Sequence, residues 1–430
     1  MSGNKKILII TYYWPPSGGA GVQRWLKFSK YLPEFEYQPF ILTVDPDFAE
    51  FPAYDHSLIS EINSDIRIYT TKARNYYNIL PGKKTGTREN LRISTNNKSL
   101  IYRFARFIRG NIFIPDPRKG WNKFAFHKAR HLIEEEDINL IITSGPPHSS
   151  HLIGRRLKRK YKKIKWIADF RDPWTDIYYY KNFYASSPAK NKDKKYEYSV
   201  LAEADLIITV GDGMKKLLEK KLQSGKDKIF VLPNGFDEED FNIKTIKNKS
   251  DAYTICYTGS IGDSYPIESF LKAVSEIISN NPEQKFILRF VGQLSEEIIK
   301  QIKNFKLLSN CEFVSYLTHH ETIKHILSSD MLLLLIPDHK YNEVIVTGKI
   351  YEYLRSGNTI LGIGPLNGDA AKVLKEAGSG RMFEPGDTDG IIDYILNSQL
   401  KTAHKIDNLT YNYDRKNLTS SLVKLIDILE

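Results

Sequence analysis

A glycine-rich turn, Pro15-Pro16-Ser17-Gly18-Gly19-Ala20-Gly21, follows the aliphatic run Ile7-Leu8-Ile9-Ile10 and leads into a stretch with Val22, Trp25, Leu26 and Ser29 on one helical face. Strand, glycine turn, helix is an order that brings backbone close to an anion. Glycine accepts positive φ, and the first N–H groups of a helix carry partial positive charge. The spacing departs from G-x-G-x-x-G, because Arg24 stands where the last glycine would be, and it lacks the Gly-Lys-Ser/Thr of a P-loop. Contact of Gly19 and Gly21 with phosphate or sugar is the functional expectation; a tight turn is the structural alternative.

A second such place is Thr347-Gly348-Lys349-Ile350-Tyr351-Glu352-Tyr353-Leu354, which follows a strand ending at Ile336 and should open a helix. Glu352 then sits in the first turns, where the helix dipole favours a carboxylate that can accept two ribose hydroxyls. The alternative is an ordinary N-terminal helix charge. Two more stretches close strands of the first half, where doubly wound sheets bind ligands. In Ser144-Gly145-Pro146-Pro147-His148-Ser149-Ser150-His151, His148 and then His151 are the catalytic candidates, against histidines satisfied at a helix start. In Asp169-Phe170-Arg171-Asp172-Pro173-Trp174, acceptor binding competes with a buried ion pair that positions a turn.

Short β-branched or aliphatic runs alternate with amphipathic stretches, the pattern of β-α units around parallel sheets. In the first half, residues 7–10, 40–44, 140–143, 166–169, 206–210 and 229–232 read as strands, with helices over 22–32 and 214–222. Pro233-Asn234-Gly235 is a turn signal and the polar stretch 237–250 reads as a linker. The second half restarts with strands at 254–257, 286–291, 312–314, 331–336 and 359–363, and 406–429 reads as one or two closing helices. The expected division is a domain over 1–235, a linker over 236–250, a second domain over 251–403 and a C-terminal helix over 404–430. Residues 72–110 have no clean period and are expected to form an inserted helical element.

Four segments together, Gly18-Gly19-Ala20-Gly21-Val22-Gln23, Ala204-Asp205-Leu206-Ile207-Ile208-Thr209-Val210, Leu232-Pro233-Asn234-Gly235-Phe236-Asp237 and Gly348-Lys349-Ile350-Tyr351-Glu352-Tyr353-Leu354, resemble the retaining GT-B glycosyltransferases of family 4. The resemblance spans nearly the whole chain. It implies two Rossmann-like α/β domains with parallel sheets facing across a cleft, the first holding the acceptor and the second a nucleotide diphosphate sugar, UDP- or GDP-linked. It also implies that the C-terminal helix crosses back to the first domain. Carried over by position, Glu352 is the second glutamate of the family's pair, implied to hold the ribose. The first falls on Val344, with Glu343 one residue early. The family's diphosphate-binding Arg and Lys fall on Ser260 and Tyr265. Backbone N–H groups of Gly348 and the glycine loop, with Lys349 as nearest cation and Arg171 in reserve, are the candidates to replace them. A histidine near donor sugar and acceptor hydroxyl maps onto His148 or His151, and Gln23, Arg171 and Asp172 are acceptor-binding candidates. No cofactor or metal is expected. A glycan or lipid-linked acceptor in cell-surface polysaccharide assembly is the implied partner.

Composition bounds these readings. At 430 residues the chain exceeds the roughly 250–300 at which one core stops growing, so two domains are expected. Cys256 and Cys311 form neither a disulfide framework nor a zinc spacing, which fits a reducing, cytoplasmic compartment. Asp45-Pro46-Asp47 and Asp387-Thr388-Asp389 match D-x-D formally, but three-residue matches are common and the proline stiffens the first. The net charge of +11 concentrates in the first half, where Lys72–Arg130 carries 15 Lys or Arg against Glu89 and Asp116 and a second cluster spans Arg155–Lys163. Tyr102, Phe104, Phe107, Ile108 and Phe113 interleave with Arg103, Arg106 and Arg109, a pattern expected to dock on an anionic membrane surface. Nucleic-acid binding is the rival class, without a helix-turn-helix, RRM or KH pattern to support it. A sugar-nucleotide epimerase of the same fold is the other.

Overall fold

The computed structural model describes residues 5–74, 76, 100–243, 252–399 and 408–429. They fall into two compact units. One comprises the described parts of Met1–Glu89 and Asn96–Pro233 together with Arg415–Glu430, and the other the described part of Asn234–Asp414.

The first unit is a seven-stranded parallel sheet of β1 (Lys5–Ile10), β2 (Tyr37–Val44), β3 (Arg67–Thr71), β4 (Leu140–Gly145), β5 (Lys165–Phe170), β6 (Leu206–Thr209) and β7 (Ile229–Val231), in the order β3-β2-β1-β4-β5-β6-β7. Helices α1 (Ala20–Tyr31), α2 (Leu100–Asn111), α3 (Asn122–Glu136), α4 (Ser149–Lys160), α5 (Ser187–Glu203) and α6 (Asp212–Glu219) belong to it. Ile7 to Ile10 are all fully buried. Burial on both faces is why such strands read as unbroken apolar runs rather than alternating ones. β3 escaped the sequence reading because Arg67–Thr71 is an edge strand, largely exposed and without an apolar run.

The second unit carries β8 (Ala252–Thr258), β9 (Lys285–Val291), β10 (Cys311–Val314), β11 (Met331–Leu335), β12 (Thr359–Ile363) and β13 (Gly380–Phe383) in the order β10-β9-β8-β11-β12-β13. Its helices are α7 (Glu268–Asn280), α8 (Glu296–Asn304), α9 (His319–Leu327), α10 (Lys349–Ser356), α11 (Asp369–Ala377) and α12 (Thr388–Gln399). β13, four residues at an edge, was also missed. Phe236 and Phe241, in the stretch that reads as a linker, are buried in this unit's core.

The last helix, α13 (Arg415–Asp427), is part of the first unit. Leu418, Leu422 and Ile426 recur every fourth residue and enter its core, Lys416 pairs with Glu34 at 2.6 Å, and the Arg415 guanidinium lies over Phe28. In each sheet the strand order reverses once, between β1 and β4 and between β8 and β11. The crevice beyond the carboxyl ends of those strands is where open α/β sheets hold ligands. Among the described residues no helix is long and apolar enough to cross a membrane.

Candidate active site

At the reversal of the first sheet, the loops after β1 and β4 meet the end of β5. Gly19 has φ 88° and ψ 172° as it caps α1, a conformation that side chains rarely adopt. Arg24, where a dinucleotide fingerprint would place glycine, is buried and points back into the unit. Its guanidinium holds Asp169 at 3.1 Å, and the same carboxylate accepts the Trp25 indole N–H at 2.7 Å and the Ser144 hydroxyl at 2.8 Å. Arg24 also donates to the Pro233 carbonyl at 2.9 Å. Asp169 thereby ties α1, β4, β5 and the end of β7 together. Of the two readings left open for it, the geometry matches the buried ion pair.

Arg171 is a clasp. It donates to the Gly21 carbonyl at 2.6 Å, the Pro146 carbonyl at 2.7 Å and the Gly145 carbonyl at 3.3 Å. Burial presses its pKa down against the pull of Asp169 and Asp172. Through these three bonds it holds the glycine loop to the β4 loop, a structural role beside the acceptor or diphosphate contact expected of it. Asp172 is exposed and Gln23 is half-buried.

The two histidines part company. His151 is fully buried, hydrogen-bonded through Nδ1 to Thr143 at 2.9 Å and stacked on Phe170 with ring centroids 4.5 Å apart. Burial, reinforced by Arg171, pushes its pKa to about 3. It is a neutral, enclosed residue whose Nε2 meets no hydrogen-bond partner among the described residues. His148 stacks on Trp174 at 5.0 Å and 8° between planes, and neither ring nitrogen finds a well-formed hydrogen bond, the Pro173 backbone being its polar neighbour. Burial first, then His151, holds its pKa well below the ordinary imidazole range. A neutral imidazole with unspent nitrogens can hydrogen-bond a sugar hydroxyl. Gly145 admits both rings, since a Cβ there would lie 2.6 Å from His151 Nε2 and 3.0 Å from His148 Nδ1.

At the reversal of the second sheet, β8 is followed by Gly259, with φ +110°. Lys349, the first residue of α10, sends its amine to Tyr257 Oη at 2.8 Å, and a Cβ on Gly259 would lie 2.8 Å from that nitrogen. Glycine at 259 is therefore demanded by backbone conformation and by the lysine. Tyr257 Oη in turn donates to the Ser260 carbonyl at 3.2 Å. Burial pushes Lys349 down to about 7, with the Glu352 carboxylate pulling it back up. A Cβ added to Gly348 would meet nothing within 4 Å, so its backbone faces open space. Glu352 hydrogen-bonds His319 Nε2 at 3.0 Å, and His319 Nδ1 lies 3.8 Å from Asp240. Glu343 is exposed in a short turn over Asn342–Val344.

Residues 87–240 match the model of the family described as Glycosyltransferase Family 4. The whole chain is similar in fold to a glycosyltransferase from Rickettsia africae ESF-5, at 14% identity over 99% of this chain and 98% of that one, TM-score 0.64. It is similar to WaaG, a glycosyltransferase involved in lipopolysaccharide biosynthesis, at 12% identity over 98% and 99%, TM-score 0.56. A third likeness is to a structure described as a UDP-N-acetylglucosamine 2-epimerase from Listeria monocytogenes, at 12% identity over 98% and 95%, TM-score 0.55. No curated protein matches the sequence. The chain is a glycosyltransferase of the GT-B fold.

Three residues of this transferase's candidate site were not singled out in the sequence. His319 had a faint signal, since Thr318-His319-His320-Glu321 is a capping-box pattern and the structure shows both of its hydrogen bonds. Trp174 and Asp193 had none. Asp193, on α5, accepts the Trp174 indole N–H and the Tyr180 hydroxyl, each at 2.8 Å, fixing the wall on which His148 stacks. The D-x-D matches are local caps: Asp45 accepts the Asp47 N–H at 3.0 Å and Asp387 the Gly390 N–H at 3.0 Å. On α2, Phe104 and Phe107 are exposed, but Phe113 is buried and Arg109 holds the Phe113 and Pro115 carbonyls, so these two leave the expected docking face. The Tyr102 side chain, and most of 72–99, lie outside the described residues.

Proposed function

We propose that the transferase is a retaining enzyme that takes a UDP- or GDP-linked sugar in its second unit and passes it, without metal, to a glycan or lipid-linked acceptor of the cell surface. One observation carries this. The amine of Lys349 reaches Gly259, beside Ser260, the position where the resemblance calls for a diphosphate-binding cation that the local sequence lacks. A cation from the start of α10, next to the open backbone of Gly348, supplies charge for a departing diphosphate. Glu352, oriented by His319, would accept the ribose hydroxyls.

In the proposed reaction the bond from the anomeric carbon to the phosphate oxygen breaks and its electron pair leaves with the diphosphate. The short-lived oxocarbenium is attacked from the same face by the acceptor hydroxyl, whose proton passes to the departing phosphate. His148 would orient a hydroxyl by hydrogen bonding, as a neutral group. WaaG, named for lipopolysaccharide biosynthesis, shares the fold and supports this direction for the acceptor. Exposed Arg103, Phe104 and Phe107 on α2 support docking on an anionic membrane surface.

The test is to supply UDP- and GDP-sugars with a membrane-lipid extract in chelator and analyse the products. A new glycoside with the donor's anomeric configuration supports the proposal. An inverted glycoside, or an isomerised donor such as an epimerase makes, contradicts it. For the membrane reading, Arg103→Glu with Phe104→Ser should weaken binding to phosphatidylglycerol vesicles about tenfold, at roughly 1 kcal/mol per lost basic residue plus the lost apolar contact. Unchanged binding contradicts it.

A further inference from the structure

Helices α3 and α4 of the first unit enclose a cavity of about 350 Å³, lined by Asn122, Phe126, Leu152, Ile153, Arg155, Arg156 and Arg159. That lies toward the lower end of the roughly 300–1,000 Å³ typical of small-ligand pockets. Its floor is apolar and its rim is three guanidiniums on two successive turns of α4, Arg155 with Arg156 and then Arg159, the part of the basic cluster Arg155–Lys163 that the donor and acceptor chemistry leaves unexplained. They are unequally compensated. Arg159 is held by both oxygens of Glu203, at 2.7 and 2.6 Å, and Arg155 donates to the Ser199 hydroxyl. Arg156 is exposed and lies flat on the face of Phe126, its guanidinium carbon 3.8 Å from the ring centroid.

Two further observations say what the rim would take. Burial first, then the neighbouring Arg159, lowers the pKa of Arg155 against the pull of Glu203, so a second guanidinium adds like charge to a partly buried one. Asn122 donates from Nδ2 to the Ser149 carbonyl at 2.8 Å, but its buried Oδ1 meets no hydrogen-bond partner among the described residues. A buried acceptor left without a donor is a standing cost to the fold, which a ligand that brings a donor recovers. Anion, apolar tail and hydroxyl thus belong on one molecule.

We propose that this cavity binds a phosphate-headed amphiphile: Arg155 and Arg156 hold the phosphate, Phe126, Leu152 and Ile153 take the first carbons of the chain, and Asn122 Oδ1 accepts from a hydroxyl or the remaining phosphate proton. The site uses none of the residues assigned to sugar transfer and does not rest on that assignment. A phosphate carrying an apolar chain is met both as a membrane lipid head and as a free small molecule, and the test separates the two.

Calorimetric titration with octyl phosphate, below its micellar concentration, is expected to show saturable binding, and inorganic phosphate at the same concentrations none. Arg156→Glu should weaken octyl phosphate binding at least tenfold, since it replaces a charge-assisted contact with repulsion. Lys162→Glu, an equal change of charge at an exposed residue beyond the end of α4, should change it less than twofold. Co-sedimentation with phosphatidylglycerol vesicles that Arg156→Glu abolishes identifies a lipid head as the source; octyl phosphate binding without it identifies a free ligand. Absence of saturable binding, equal binding of inorganic phosphate, or equal losses in the two variants would overturn the proposal.

Discussion

The two sheet reversals are built from the same topology and spend their polar groups differently. In the first unit, Asp169 is held by Arg24, Trp25 and Ser144, Arg171 bonds three loop carbonyls, and His151 bonds Thr143 through Nδ1, all within the unit. In the second, the partners of the Lys349 amine among the described residues are a tyrosine hydroxyl and the face of its ring, with its pKa pushed down to about 7 beside an open glycine backbone. A group kept short of counter-charge gains most when an anion arrives. The contrast assigns rigid framework to the first site, apart from His148, and unspent binding capacity to the second.

The largest expected break in that comparison is Asp169→Ala. It strands Arg24, 1% exposed, without its counter-ion, and should cost roughly 3–5 kcal/mol in urea unfolding. A loss below about 1 kcal/mol would mean the first site is not the framework described.

Asp193 comes next. Burial raises it from 3.8 to about 6, while the hydrogen bonds from Tyr180 and Trp174 pull it down. The folded state therefore holds this proton more tightly than the unfolded chain. The associated stability is full below about pH 4 and is lost as pH rises through about 6, by up to about 3 kcal/mol. Asp193→Asn should flatten that stretch of the pH–stability curve; a curve as steep as the parent's would exclude Asp193 as its source.

Lys349 gives a smaller effect of opposite character, on binding rather than stability. If its amine takes up a proton as the diphosphate arrives, affinity is greatest below pH 7 and falls as pH rises, by at most about tenfold per pH unit. Lys349→Met should lower affinity about tenfold at pH 6.5 and remove the slope. A slope that survives the substitution would place the titrating group elsewhere.

What the sequence could and could not show follows from the range of each interaction. Most of the strands were legible because burial on both faces writes a continuous apolar run, as in Met331–Leu335, and the edge strands β7 and β10 through their short β-branched or aromatic runs. β3 and β13 were not, because edge strands need no such run. The loops carrying His148, Gly259 and Lys349 could be found from strand ends and glycines, but their working contacts join residues far apart in the chain. Arg24 meets Asp169 across 145 positions and Lys349 meets Tyr257 across 92, and nothing local distinguishes a histidine that stacks on Trp174 from one that bonds Thr143.

The most direct test of a donor site at α10 is calorimetric titration with UDP and with GDP, without added metal, of the parent chain and of Glu352→Ala. One nucleotide should bind, and the substitution should cost about 1.5–3 kcal/mol, roughly ten- to a hundredfold in affinity. Failure of both nucleotides to bind, or equal affinity in the variant, would contradict the account.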